Sequence, residues 1–397
     1  MNHCIERSLW RHVVAFALAL SLATAHGAEN TLTPEELDEG WILLFDGETL
    51  FGWKAASKAD WQVRDGAIAA REGEPGLLLT TSQFGNYVLK VEFRCPASTN
   101  SGVFLRTSPT VKPNEVARKC YELNIAAPGV SEFPTGSLVE RVKAQAVEPK
   151  TDWQAMEVMA DGGHFTVQIE GREVLDYTDP KPLGRGYIGL QFNQGPIEFR
   201  SIKLRPLGLK SMFNGKDLTG WKTYPDMPSR FTVTPEGWLN VKNGRGVLES
   251  EEQYGDFTMQ LEAFVNGKEL NSGIFYRAMP GDPAMNGYES QIHNGYQDGD
   301  RTKPVDHGTG GIFRRQPARK VVADDFRWFH KTIHADSRHV AVWVNGYQVT
   351  DWTDNRPADA NPRKGLRLEA GSIMIQGHDP TTDLSFRNLG IAEIPPR

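Results

Sequence analysis

Apolar and polar residues alternate along most of this chain. Tyr87-Val88-Leu89-Lys90-Val91-Glu92-Phe93-Arg94 does so, as do His164-Phe165-Thr166-Val167-Gln168-Ile169-Glu170 and His339-Val340-Ala341-Val342-Trp343-Val344. A period of two predicts strands with one face in a core and the other towards water. Turn chemistry punctuates them at Arg64-Asp65-Gly66, Asp161-Gly162-Gly163, Glu170-Gly171 and Asn345-Gly346, the last a strong two-residue hairpin signal. Helical periodicity is nearly absent. Thr33-Pro34-Glu35-Glu36 predicts one short leading helix, with Thr33 as cap and Pro34 in the first turn. Short strands with turns at about 8 to 12 residues predict an all-β fold, an antiparallel sandwich of jelly-roll type.

The pattern occurs twice. Leu44-Phe45-Asp46-Gly47 with Leu50-Phe51-Gly52-Trp53-Lys54 returns as Met212-Phe213-Asn214-Gly215 with Leu218-Thr219-Gly220-Trp221-Lys222, an offset of 168. Asn100-Ser101-Gly102-Val103-Phe104-Leu105-Arg106 pairs with Asn271-Ser272-Gly273-Ile274-Phe275-Tyr276-Arg277, and Tyr121-Glu122-Leu123-Asn124-Ile125 with Tyr288-Glu289-Ser290-Gln291-Ile292. Thr135-Gly136-Ser137-Leu138 matches Thr309-Gly310-Gly311-Ile312, Asp176–Asp179 matches Asp351–Asp354, and Phe199-Arg200 matches Phe386-Arg387. Order is kept while offsets drift only from 167 to 187, so the repeat is a whole domain rather than a solenoid unit. This predicts two tandem sandwiches, 40–206 and 209–395, joined at Pro206-Leu207-Gly208.

Charge and cysteine content narrow the setting. The chain of 397 residues carries a formal charge of -6, which offers no basic surface to nucleic acid. Arg7 and Arg11, an apolar run from Val13 to Ala23, and Ala23-Thr24-Ala25 read as a secretory signal over residues 1–25. The run is too short to span a bilayer, so a periplasmic or secreted protein without a membrane span is expected. Cys4 lies in that leader; Cys95 and Cys120 remain, and export leaves a bridge between them open.

The residues of these repeats resemble the 3-keto-disaccharide hydrolase family. The resemblance rests on Leu-Phe-Asp/Asn-Gly-x-x-Leu-x-Gly-Trp-Lys, Asn-Ser-Gly-x-Phe-x-Arg, Tyr-Glu-x-Gln-Ile, Thr-Gly-Gly-Ile-Phe and the closing Phe-Arg-Asn, and it covers both copies. It implies concanavalin A-like lectin/glucanase sandwiches and a substrate, an oxidised glycoside or disaccharide, whose glucosyl C3 hydroxyl has become a ketone. The ketone acidifies the C2 proton. A base removes it, the enolate expels the C1 substituent, and water addition completes a net hydrolysis.

Such chemistry needs a base and a cation or donors at the enolate oxygen. On the strand from Tyr288, Glu289, Gln291 and His293 share one face. That stripe reads as a site or as a solvated sheet face. Glu289 recurs as Glu122, and the neighbouring Arg277 as Arg106, which fits a general base with an oxyanion clamp or a structural ion pair. Gln376-Gly377-His378 resembles the family's Gln-x-His, with Glu289 or His378 as base and Arg277 as third catalytic candidate. Gln291, His293, Gln376, Tyr288 and Asn271 are the expected substrate contacts. A divalent Ca, Mn or Zn ion is open, with Glu289, His293 and His378 as candidate ligands and Asp298-Gly299-Asp300 with Asp306-His307 as a weaker set. The first copy has Ala126 for His293 and Asn193 for His378, so the second is expected to be the working one.

A non-catalytic carbohydrate-binding protein is the competing expectation, with Trp53 and Trp221 against sugar faces or simply packed in the core. Self-association into a homo-oligomer is open. Gly184-Arg185-Gly186-Tyr187-Ile188-Gly189 fits a dinucleotide spacing, but a strand follows it where a helix is required. Serine hydrolase chemistry lacks its Gly-x-Ser-x-Gly elbow.

Overall fold

A computed structural model describes residues 28–110, 115–147 and 150–397, so the leader lies outside the described residues. Each copy is a sandwich of an eight-stranded and a five-stranded antiparallel sheet. Strands run from Ile42 to Pro206 in the first and from Lys210 to Glu393 in the second. Among the described residues, no helix is long and apolar enough to cross a membrane.

Local chemistry accounts for the framework. Thr33 caps the helix Pro34–Asp38, with a full capping box to Glu36. Asn345 and Gly346 both take positive φ, 49° and 73°, and join the strands His339–Val344 and Tyr347–Thr353, as that dipeptide predicts. In each copy alternate residues fill the space between the sheets. Leu89, Val91, Phe93, Val103 and Leu105 do so in the first, and Ile274, Tyr276, Ile373 and Ile375 in the second.

The strand His339–Val344 departs from simple alternation. Val340, Val342 and Val344 enter the core of the second copy, while Ala341 and Trp343 enter the core of the first. The Trp343 indole is 1% exposed and donates to the Leu43 carbonyl at 2.8 Å. Both faces of this strand are therefore buried, because its outer face is the seat of the other sandwich. Polar contacts surround the seat: the Asp336 carboxylate accepts from the Gln83 side chain at 2.8 Å, and His334 Nε2 lies 2.9 Å from the Gln83 carbonyl oxygen.

Cys95 and Cys120 are both free. Cys95 directly follows a strand of the eight-stranded sheet, whereas Cys120 precedes a strand of the five-stranded one. Burial pushes the Cys95 thiol up to about 11 and Cys120 up to about 12, so neither is a ready thiolate. Trp53 and Trp221 are core residues, their indoles donating to the Leu44 and Met212 carbonyls. Arg185, in the glycine-spaced decoy, instead bridges the copies to Asp256 at 2.5 Å.

Candidate active site

The five-stranded sheet of the second copy turns one face to its partner sheet and the other outwards. Strand pairing aligns Glu289 with Phe275 and Met374 across the outer face, and Gln291 with Gly273 in the next row. Gly273 matters here, because a Cβ at that position would lie 2.7 Å from Glu289 Oε1. Its absence leaves room for the carboxylate. Val247, Phe275, Met285 and Met374 form an apolar floor. Above it lies a cavity of about 630 Å³.

Of the sequence candidates, Glu289, Gln291, Asn271, Gln376 and His378 line this cavity together. Glu289 is 4% exposed, and its Oε2 accepts from the Arg363 guanidinium at 2.9 Å. Burial pushes the Glu289 carboxyl above its ordinary range, with Arg363 opposing the shift. The Asp306 carboxylate accepts from Asn271 Nδ2 at 2.6 Å and from Gln291 Nε2 at 2.7 Å. Because a carboxylate only accepts, those bonds fix both amides with their oxygens turned away from it. Asn271 Oδ1, Gln291 Oε1 and Gln376 Oε1 are then buried acceptors with no partner. All three belong to residues that line the cavity, and hydroxyl donors would satisfy them. His378 follows the strand Gly371–Gly377 and sits at the rim, exposed, with Nδ1 2.9 Å from the Asp379 carboxylate.

Three candidates lie elsewhere. Arg277 is buried at a bulge, where Nε donates to the Gly255 carbonyl at 2.9 Å, Nη1 to Ser337 at 2.7 Å and Nη2 to Asp256 at 2.7 Å. Arg106 repeats the device in the first copy on Gly85, Gly162, Leu183 and Asn86. Both arginines therefore anchor loops, and the cation that meets Glu289 is Arg363. Tyr288 faces the core, its hydroxyl donating to Asp354 at 2.8 Å and accepting from the Arg367 amide, as Tyr121 does with Asp179 and Leu183. His293 lies beyond the strand end, where its Nδ1 accepts from the Gly295 amide at 3.2 Å. Glu289, His293 and His378 do not converge, and no three His, Cys, Asp or Glu side chains do so among the described residues. Asp298 and Asp300 belong to an exposed loop beside Lys303.

Sequence reading missed four arginines at this cavity: Arg245, Arg314, Arg315 and Arg363. Arg363 had a signal. Asp354 and Gly371 are separated by ten residues more than their counterparts Asp179 and Gly186, and Arg363 falls in that extra segment. The first copy keeps a smaller cavity of about 320 Å³ with Glu122, Gln191, Glu140 and Asn193 but no arginine. There burial pushes the Glu122 carboxyl up to about 7, against a hydrogen bond from Gln191 and with repulsion from Glu140.

A duplicated sandwich whose outward sheet carries a buried acid, a facing guanidinium and open amide acceptors belongs among glycoside-acting proteins. Residues 40–205 and 208–392 each match the sequence profile of the 3-keto-alpha-glucoside-1,2-lyase-like domain, and the chain belongs to that family. A 3-keto-disaccharide hydrolase from Bacteroides thetaiotaomicron is 24% identical over 257 residues, covering 49% of this chain and 87% of the relative. A solved Parabacteroides distasonis protein, assigned as a glycosyl hydrolase, is 22% identical; the match covers 45% of this chain and 100% of that one, with a TM-score of 0.41. A second from the same organism is 25% identical, with 48% and 85% covered and a TM-score of 0.37.

Proposed function

We propose that the second copy cleaves 3-keto-glycosides, 3-keto-disaccharides among them, by elimination followed by hydration. The Glu289 carboxylate takes the C2 proton, and the C–H electron pair moves to give an enolate on the C3 oxygen. Arg363 neutralises that oxygen, a role its contact with Glu289 suits because the guanidinium is freed as the carboxylate is protonated. The enolate then expels the C1 substituent, and His378 at the rim supplies its proton. Expulsion re-forms the C3 ketone and leaves a C1–C2 double bond, to which water adds with its hydroxyl on C1 and a proton on C2. Asn271, Gln291 and Gln376 accept sugar hydroxyls.

The observation that carries this reading is the buried Glu289 carboxylate paired at 2.9 Å with half-buried Arg363, in a cavity lined by amide residues whose oxygens lack partners. The first copy has Glu122 without a facing arginine and Asn193 in place of His378, which supports binding without turnover there. The signal-like leader supports export to the periplasm or medium. Release of glucose from 3-keto-trehalose by the full chain, reduced about 100-fold or more in Glu289→Gln, is the expected result. Binding of that sugar with no turnover would instead favour a carbohydrate-binding protein.

A further inference from the structure

The cavity of the second copy holds more positive charge than its chemistry needs. Glu289 pairs with Arg363, and Asp306 is held by two amides. No carboxylate among the described residues lies within ion-pair distance, 4.0 Å, of Arg245, Arg314 or Arg315. Arg315 serves as a spine, donating to the Arg314 and Arg363 carbonyls. Burial and the nearby Arg356 and Arg363 hold its guanidinium below the usual range. Arg314 and Arg245 are exposed at the mouth, and the Arg314 guanidinium lies over the Phe313 ring, 5.2 Å from its centre. Like charges gathered on a chain of net charge -6 stand against its general electrostatics.

The fold does not require a cation at this point. Glu140 occupies the matching position in the first copy, with φ 60° against 61° for Arg314, so one loop geometry carries opposite charges. The difference therefore lies in what each cavity admits. We infer that the mouth of the second cavity is an anion subsite, and that the preferred substrate is a 3-keto-glycoside whose departing group bears a carboxylate, sulfate or phosphate held by Arg314 and Arg245. The charge belongs on the departing group because Glu289, Gln291 and Gln376 are buried and take the reacting ring, while the two arginines stand further out. Guanidinium groups bind such oxyanions through paired, charge-assisted hydrogen bonds.

This inference rests on the elimination reading for the orientation of the sugar, and the test separates the two. The 3-keto-glucosides of 4-carboxyphenol and 4-carbamoylphenol differ in charge and little in shape. Titrated into the full-length Glu289→Gln protein, the acid should bind about tenfold more tightly than the amide, and 0.5 M salt should erase most of that margin. Arg314→Glu, the residue the first copy carries on the same backbone, should reverse the preference, and Arg245→Gln should reduce it. Equal affinity for the pair, binding of neither, or a preference unchanged by both substitutions would overturn the subsite. Turnover of the neutral amide by the unsubstituted protein tests the reaction separately: turnover without an acid preference leaves the reaction standing, and a preference without turnover leaves the subsite standing.

Discussion

The Lys331 ammonium lies 3.0 Å from the Ser290 carbonyl oxygen and 2.9 Å from that of Gln291, directly beneath the strand that carries Glu289. It is 1% exposed, and burial pushes it down to about 7. Trp328 of the second copy matches Trp153 of the first, which puts Met156 opposite Lys331, so the amine belongs to the second copy alone. An amine whose folded pKa lies below its unfolded value of about 10.4 gives a folded state that binds fewer protons between those values. Stability should rise as pH increases from about 7 towards 10. In Lys331→Met that slope should flatten, as urea midpoints at pH 7, 8.5 and 10 would reveal; an unchanged slope would place its cause elsewhere.

Arg363 lowers the pKa of a carboxyl that burial raises. Removing the cation takes away the main opponent of burial, so Glu289 should hold its proton to higher pH. In Arg363→Gln the acid limb of the kcat/KM profile should move to higher pH, and kcat at neutral pH should fall about 100-fold or more from loss of enolate stabilisation. A reduced rate with an unmoved acid limb would argue that Arg363 does not tune Glu289.

Arg277 predicts the opposite signature. Its buried guanidinium ties Gly255, Ser337 and Asp256 together, so Arg277→Met should cost about 3 kcal/mol or more of stability. Catalytic rate per folded molecule should change little. Thermal denaturation beside active-site titration distinguishes this from a direct role in catalysis, which would lower kcat at full folding.

Trp343→Gln replaces the interface indole with the residue that the first copy carries at the matching Gln168. The second sandwich keeps its own valines, while the seat for the first loses its largest side chain. A cost of about 3 kcal/mol is expected. Calorimetry should resolve one melting transition into two as the sandwiches unfold independently. A single transition with an unchanged midpoint would show that Trp343 contributes little to docking.

Much of the fold was legible because its causes are local. Period-two alternation, the Asn345-Gly346 turn and the Thr33 cap act within a few residues, and duplication showed each signal twice. The strip of Glu289 and Gln291 on one face also followed from the pleat. What escaped depends on distance or comparison. A strand neighbour need not be a cavity neighbour: at its bulge Arg277 has φ 45°, and its side chain runs to backbone carbonyls. Tyr288 fell to the core because its strand turns even-numbered residues inwards. Arg363 lies 74 residues from its partner, on a segment with no repeat to compare against. The double burial of the Trp343 strand was visible only as a contrast: Ala341 and Trp343 stand where the first copy has Thr166 and Gln168.

That contrast also governs how many sandwiches can join. The outer face of one copy meets a different surface of the other, around Leu43 and Gln83, so the contact is head-to-tail and has no symmetry to close it. Two identical copies would each present an unsatisfied apolar face at one end and a matching seat at the other, and molecules would add end to end into fibres. The first copy offers Thr166 and Gln168 on the equivalent strand, and the second offers exposed Glu251 where the first offers Thr81. Divergence at these few positions puts polar side chains where the joining contact has apolar or neutral ones, and so works against repeating that contact end to end.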